Sequence, residues 1–293
     1  MRVFFNHLAK CGGSTINAIA KEEYGEDFHR LSPSTETDEL NEWLSKKKCF
    51  ITSEMNFAKV ENILLLLNDQ KLIRIILSRD PVERFISFCA HSTRDSLGKD
   101  EPGTGFWGME DIIKQPMSAN AWMRSCLSRM QHILEDKDNS LKLLGEDSRW
   151  TFSIYSQWML ASFQSHFDFN EGKLTPVGIR NQRAHICHWR SQPNVTSQIN
   201  RFLIQFYSAW GTTDDIPLFI KTLSKTGIFS SERAENEIEI KNSSKKAQES
   251  KQKLFEISED LIAEYYAMLP EEFWFHDICS QLASQRWEHL KPK

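Results

Sequence analysis

The chain has 293 residues, 40% of them hydrophobic and 26% charged, which suits a globular domain with a sizeable core rather than a disordered segment. Its formal net charge of -4 argues against a broad basic surface for nucleic acid and leaves room for a local basic pocket. The apolar run Ile63–Leu67 is far shorter than a membrane span needs, so no transmembrane segment is expected. In chain order, Val3–Leu8 reads as a short buried strand. Residues 14–24 read as a helix with Ile16, Ile19 and Ala20 on one face. Cys49–Thr52 is a second strand. Residues 57–69 carry apolar positions 60, 63, 64 and 67, a helical period. Leu72–Leu77 is an Ile-rich strand, and Asp80-Pro81 then opens another helix, with Asp accepting orphan N–H groups and Pro at the first helical position. Strands alternating with helices imply parallel pairing and an α/β sheet.

Beyond residue 92 the pattern changes. Residues 95–118 are rich in Gly, Asp, Glu and Pro and read as a loop or lid. Helices are expected over 118–136 and 153–165, an irregular basic stretch over 172–194, and a strand at Phe202–Tyr207. Residues 230–252 are polar and charged, as solvated loops or helix faces are. Residues 253–269 form an amphipathic helix with Leu254, Ile257, Leu261 and Tyr265 on one face. The expectation is a single domain over 1–293. Within it, 1–92 forms the nucleotide-binding core, 93–200 a lid and helical insertion, and 201–293 a C-terminal strand, loop and helices.

Cys11, Cys49, Cys89, Cys126, Cys187 and Cys279 are widely spaced and form no CxxC pair. Free thiols therefore fit better than a zinc site or a disulfide scaffold. The segment Met1–His7 is too short and too polar for a signal peptide. A cytoplasmic location is expected if the chain is complete, and a trimmed Golgi-lumen domain is the alternative.

The strongest local pattern is His7-Leu8-Ala9-Lys10-Cys11-Gly12-Gly13-Ser14-Thr15, where a strand turns tightly into a helix. Two glycines let the backbone approach a ligand. The helix N-terminus offers free N–H groups and partial positive charge, Ser14 and Thr15 offer hydroxyls, and Lys10 a full charge; all suit a phosphate. A Walker A loop has its lysine after the last glycine, and here the lysine precedes both. A plain glycine turn is the alternative, and the flanking Lys and Ser-Thr favour phosphate. The second pattern is Leu77-Ser78-Arg79-Asp80-Pro81-Val82-Glu83-Arg84-Phe85-Ile86-Ser87. Arg79 leaves a strand end and Ser87 lies on the next helix, so a guanidinium and a hydroxyl can meet one phosphate. A helix-capping cluster is the alternative for that pair. Arg84 is expected to form a structural ion pair.

These two segments, in this order, resemble the PAPS-dependent sulfotransferases, closest to the membrane-type carbohydrate (heparan- and chondroitin-like) branch. PAPS is 3′-phosphoadenosine 5′-phosphosulfate. That branch carries His-x-Pro-Lys-(Thr/Cys)-Gly-Gly-(Thr/Ser)-(Ser/Thr) after its first strand, and this chain departs from it at Ala9. The resemblance implies a P-loop-like parallel sheet flanked by helices, the sulfotransferase fold. It implies that Lys10 to Thr15 hold the 5′-phosphosulfate, that Arg79 and Ser87 bind the 3′-phosphate, and that PAP is the product. Weaker likenesses are Asn120-Ala121-Trp122-Met123-Arg124, His188-Trp189-Arg190-Ser191-Gln192, and Asn242-Ser243-Ser244. The last brings Asn242 and Ser244 to the nucleotide side.

Sulfuryl transfer needs a donor held in line, a stabilised leaving phosphate and a base for the acceptor hydroxyl. Lys10 and the loop N–H groups suit the leaving phosphate, and no metal is required. Glu54, just past the strand Cys49–Thr52, stands where the family places its base; His7, His91 and His188 are rivals, and a surface Glu capping a helix is the bland reading. The acceptor expected is a carbohydrate-like hydroxyl. Gly178–Arg190 holds three arginines, two histidines and a tryptophan without an acid. It suits an anionic or sugar acceptor, though a basic surface loop paired with the acidic stretch 232–239 fits slightly better. A P-loop-type nucleotide kinase and a non-catalytic nucleotide-binding protein are the alternatives. The first needs an acidic Mg²⁺ site, and the second lacks a base.

Overall fold

The computed structural model describes residues 1–8, 10–31, 37–53, 71–87, 119–121, 123–124, 127–128, 131, 194–231 and 256–291. Among the described residues, five parallel strands form one sheet in the order β2-β3-β1-β4-β5. They are β1 (Arg2–Asn6), β2 (Phe28–Leu31), β3 (Cys49–Ser53), β4 (Leu72–Ser78) and β5 (Ala209–Thr212). The helices are α1 (Gly13–Tyr24), α2 (Thr37–Ser45), α3 (residues 81–87), α4 (Val195–Phe206), α5 (Ile216–Lys225), α6 (Glu259–Met268) and α7 (Pro270–Leu290). The described residues of 119–131 are helical too, as expected there. The chain is thus an α/β protein with a parallel sheet flanked by helices.

Both faces of the sheet are covered, which is why β1 and β4 are apolar runs rather than alternating ones. On one face Val3, Phe5, Phe50, Ile75 and Leu77 pack with Ile16 and Ala20 of α1 and with Phe219, Ile220 and Leu223 of α5. On the other face Phe4 and Ile51 pack with Leu44 of α2. Beside them, Ile76 packs with Leu203 of α4 and with Phe275, Ile278 and Cys279 of α7.

One expectation needs correction, and two parts of the fold had no expected counterpart. Phe202–Tyr207 is not a strand: its residues to 206 end α4, and the strand is Ala209–Thr212. The run Phe-Leu-Ile looks β-like in isolation, but Ile199, Leu203 and Tyr207 are buried at helical spacing. Strand β2 and helix α2 lie between the first two expected strands. The residues of β2, Phe28-His29-Arg30-Leu31, form a sheet edge with only Leu31 fully buried, so they lack an apolar run. Helix α7 extends the C-terminal region well past residue 269. The described part of the expected 253–269 helix is α6, with Leu261 and Tyr265 buried as anticipated. Expected elements over 57–69, 95–118, 153–165, 172–193 and 232–252 lie outside the described residues. Among the described residues, no helix is long and apolar enough to cross a membrane, and Cys11, Cys49 and Cys279 are buried and form no disulfide.

Tyr24 ties the end of α1 to the C-terminal side of α5. Its hydroxyl donates to the Ile228 carbonyl at 2.9 Å. Burial first, then the nearby Glu23 and Cys49, pushes this phenol from 10.0 up to about 12. The folded state therefore holds the proton more tightly than the unfolded state does. The resulting stability is fully present below pH 10.0 and is lost as pH rises toward about 12. Denaturant melts across that window should fall with pH, and Tyr24→Phe should flatten part of the fall. An unchanged slope in the variant would remove Tyr24 from the effect.

Candidate functional site

The strand order sets where a ligand crevice lies. From β1 the chain runs through α1 to β2, on one side of the sheet; after β4 it reaches β5, on the other. Strands β1 and β4 are neighbours whose connections depart in opposite directions. In open α/β sheets such a switch point opens a crevice at the carboxyl ends of the strands. Both sequence patterns start there: the Lys10–Thr15 loop follows β1, and Arg79 follows β4.

The loop is built by short hydrogen bonds and two left-handed residues. Leu8 N–H donates to the Asn6 carbonyl at 3.1 Å, Cys11 N–H to the Leu8 carbonyl at 3.1 Å, and Thr15 N–H to the Gly12 carbonyl at 3.1 Å. Lys10 has φ 65° and Gly12 φ 70°. A lysine in that region is uncommon and marks a backbone held by its surroundings. Gly12 is the N-cap of α1, with no side chain capping the helix and no acid in the first turn. The helix therefore starts with uncapped N–H groups and partial positive charge. Lys10 is half-buried, Ser14 is exposed, and Cys11 and Thr15 are buried.

His7 explains why Gly13 is a glycine. A Cβ there would stand 1.9 Å from His7 Cδ2, so the imidazole occupies the space any side chain would need. The ring stacks on Phe5 at 5.6 Å, is 5% exposed, and has Nδ1 3.4 Å from Asn17 Nδ2. Among the expected bases, His7 is thus packed under the first turn of α1.

The second motif leaves β4 as expected. Asp80 caps α3: its Oδ1 accepts from Glu83 N–H at 2.9 Å and its carbonyl from Arg84 N–H at 2.8 Å. Arg79 Nη1 donates to the Lys10 carbonyl at 3.4 Å, and Nη2 meets Glu83 Oε2 at 3.1 Å. One arginine therefore joins the two motifs, 69 residues apart in sequence. The Glu83 contact is partly exposed, and such ion pairs contribute little. Ser87 is half-buried on α3. Arg84 is wholly buried with Nη2 4.0 Å from Glu272 Oε2 at the start of α7, the structural ion pair expected of it. Tyr265 lies beside that pair; burial pushes its phenol up, and the Arg84 guanidinium opposes part of the rise.

A third segment, unread in the sequence, completes the edge. The turn Thr213–Asp215 joins β5 to α5, and Asp215 Oδ1 accepts from Leu218 N–H at 2.9 Å. A methyl on Gly12 would stand 3.1 Å from Thr213 Cγ2 and 3.3 Å from Ile216 Cδ1, so this turn packs on the glycine loop. Next to it, His276 of α7 has Nε2 3.4 Å from Asp214 Oδ2 and Nδ1 3.2 Å from Ser78 Oγ. Cys279, one turn further along α7, also bonds Ser78; burial raises its thiol and keeps it protonated. The readable signs were Asp215 and Pro217 opening a helix, the same cap chemistry as Asp80-Pro81. His276 had no local sign, because its partners lie 62 and 198 residues away (276 − 214 and 276 − 78).

Glu54 follows Ser53, the last residue of β3, whose register partner is Asn6 at the carboxyl end of β1. Glu54, His91, His188, the Gly178–Arg190 segment, Asn242 and Ser244 lie outside the described residues. No protein-family model matches the chain, and no curated protein matches it significantly.

Proposed function

We propose that the chain is a PAPS-dependent sulfotransferase of the sulfotransferase fold, acting on a hydroxyl of a carbohydrate-like acceptor. The observation that carries the reading is the hydrogen bond from Arg79 to the Lys10 carbonyl at the switch point of the sheet. It brings a lysine- and glycine-bearing anion loop and an arginine at a strand end to one crevice. A nucleotide with phosphates at both its 5′ and 3′ positions needs two such anion-binding elements. A P-loop kinase needs only the first, with its lysine placed differently.

In this reading Lys10, Cys11, Gly12, Gly13, Ser14 and Thr15 hold the phosphosulfate, with N–H groups of the α1 N-terminus and the Lys10 ammonium facing its charge. Arg79 and Ser87 take the 3′-phosphate, and Asn242 and Ser244 join the nucleotide side. The acceptor oxygen attacks sulfur in line. The S–O bond to the 5′-phosphate breaks, its electron pair leaves with PAP, and the acceptor proton passes to Glu54. The step requires no metal.

Arg79→Ala tests the selectivity. Loss of one or two charge-assisted bonds should weaken PAP binding by about 1.5–3 kcal/mol each. Affinity for 5′-AMP, which has no 3′-phosphate, should change little. Calorimetric titration of both nucleotides decides it; equal losses would show that Arg79 does not read that group.

A further inference from the structure

His276 touches two segments that each reach the glycine loop. Through Nδ1 it meets Ser78 Oγ at 3.2 Å, and Ser78 is the residue before Arg79, which donates to the Lys10 carbonyl at 3.4 Å. Through Nε2 it meets Asp214 Oδ2 at 3.4 Å, and Asp214 follows Thr213, which packs on Gly12. Ser78 Oγ also lies 3.4 Å from the Gly211 carbonyl of β5, so the serine links the ends of two neighbouring strands. Gly211 itself has no room for a side chain, since a Cβ there would stand 2.4 Å from the Phe219 ring.

We infer that His276 is a positioning residue of the phosphate site, and that the turn Thr213–Asp215 is a third wall of that site. The inference rests on the reading of the Lys10–Thr15 loop as a nucleotide site and adds a residue from the far end of the chain. One rigid imidazole fixes the distance between the end of β4 and the turn after β5. The first sets where Arg79 leaves the sheet; the second packs on the loop at Gly12, as His7 does at Gly13. The ring is buried, with Ser78 Oγ 3.2 Å from Nδ1 and Asp214 Oδ2 3.4 Å from Nε2, so both nitrogens face a polar partner. The Ser78 hydroxyl lies within hydrogen-bond distance of both Nδ1 and the Gly211 carbonyl, and Cys279 bonds the same serine, so β4, β5 and α7 meet at this side chain.

The two contacts can be separated chemically. An Asn side chain places a polar atom where Nδ1 sits, and a Gln side chain places one where Nε2 sits. His276→Asn keeps the Ser78 contact, His276→Gln keeps the Asp214 contact, and His276→Ala keeps neither. PAP affinity is measured by calorimetry on the full chain, with the nucleotide-free melting temperature recorded for each variant. His276→Ala should weaken PAP about tenfold, the loss that one or two hydrogen bonds carry. The Asn and Gln variants should each recover part of it. Asp214→Ala, at an exposed position where no cavity arises, removes the acceptor and should weaken PAP about threefold without a lower melting temperature; it serves if His276→Ala does not fold. PAP affinity unchanged in Asp214→Ala, or in a folded His276→Ala, would overturn the inference alone. Absence of PAP binding in the unmodified chain would overturn the proposed function and this inference with it.

Discussion

Lys10→Gly should reduce sulfuryl transfer by about 10²–10³-fold, the usual cost of removing one group aimed at developing charge, while the fold persists. The choice of glycine matters. Lys10 has φ 65°, a conformation in which alanine is strained and glycine is not. Lys10→Ala removes the ammonium and keeps the backbone strain that lysine already bears there. Lys10→Gly removes the ammonium and relieves the strain, so its melting temperature should equal or exceed that of the Ala variant. If both variants lose transfer to the same extent and both remain folded, the ammonium carries the effect. Near wild-type turnover in the Gly variant would remove Lys10 from the mechanism, however the Ala variant behaves.

Glu272→Ala should destabilise the protein by about 3–5 kcal/mol, the cost of leaving a buried charge without its acid. Arg84 and Glu272 both have fully buried side chains, and the pair clamps α3 to the start of α7. Tyr265 packs against the same guanidinium, so the variant leaves the cation in a place with little water. The double variant Arg84→Met with Glu272→Leu should recover most of the loss, because apolar side chains of similar size replace a buried pair at little net cost. Urea denaturation of the three variants measures this. A loss below about 1 kcal/mol for Glu272→Ala would mean that the pair is solvated in solution. Since α3 begins two residues after Arg79 and carries Ser87, PAP affinity should also fall in Glu272→Ala and return in the double variant.

The parts of the fold that could be read were those with local causes. Val3–Leu8 and Leu72–Leu77 stand out because the sheet is covered on both faces; the strands are Arg2–Asn6, so His7 and Leu8 already belong to the loop, and Leu72–Ser78. Asp80-Pro81 opens α3 by the expected cap, and Arg84 forms the expected ion pair. The misread parts have their causes elsewhere in the chain. Phe202–Tyr207 looks extended until its helical spacing with Ile199 is included. The edge strand β2 has few apolar residues to announce it. In α7 the buried Glu272 and His276 interrupt the apolar stripe of Phe275, Ile278, Cys279 and Leu282, because their partners come from distant segments. The site divides in the same way. Lys10, the two glycines and Arg79 follow from spacing and turn chemistry, whereas Ser78, Asp214 and His276 become a group only when β4, β5 and α7 meet.

The central claim is that one crevice reads a nucleotide at both its 5′ and 3′ phosphates. Calorimetric titration of the unmodified chain with PAP, ADP and 5′-AMP at one salt concentration tests it most directly. PAP should bind more tightly than either of the others by about tenfold or more, the equivalent of at least one charge-assisted hydrogen bond. Equal affinity for all three nucleotides, or tighter binding of ADP, would contradict it.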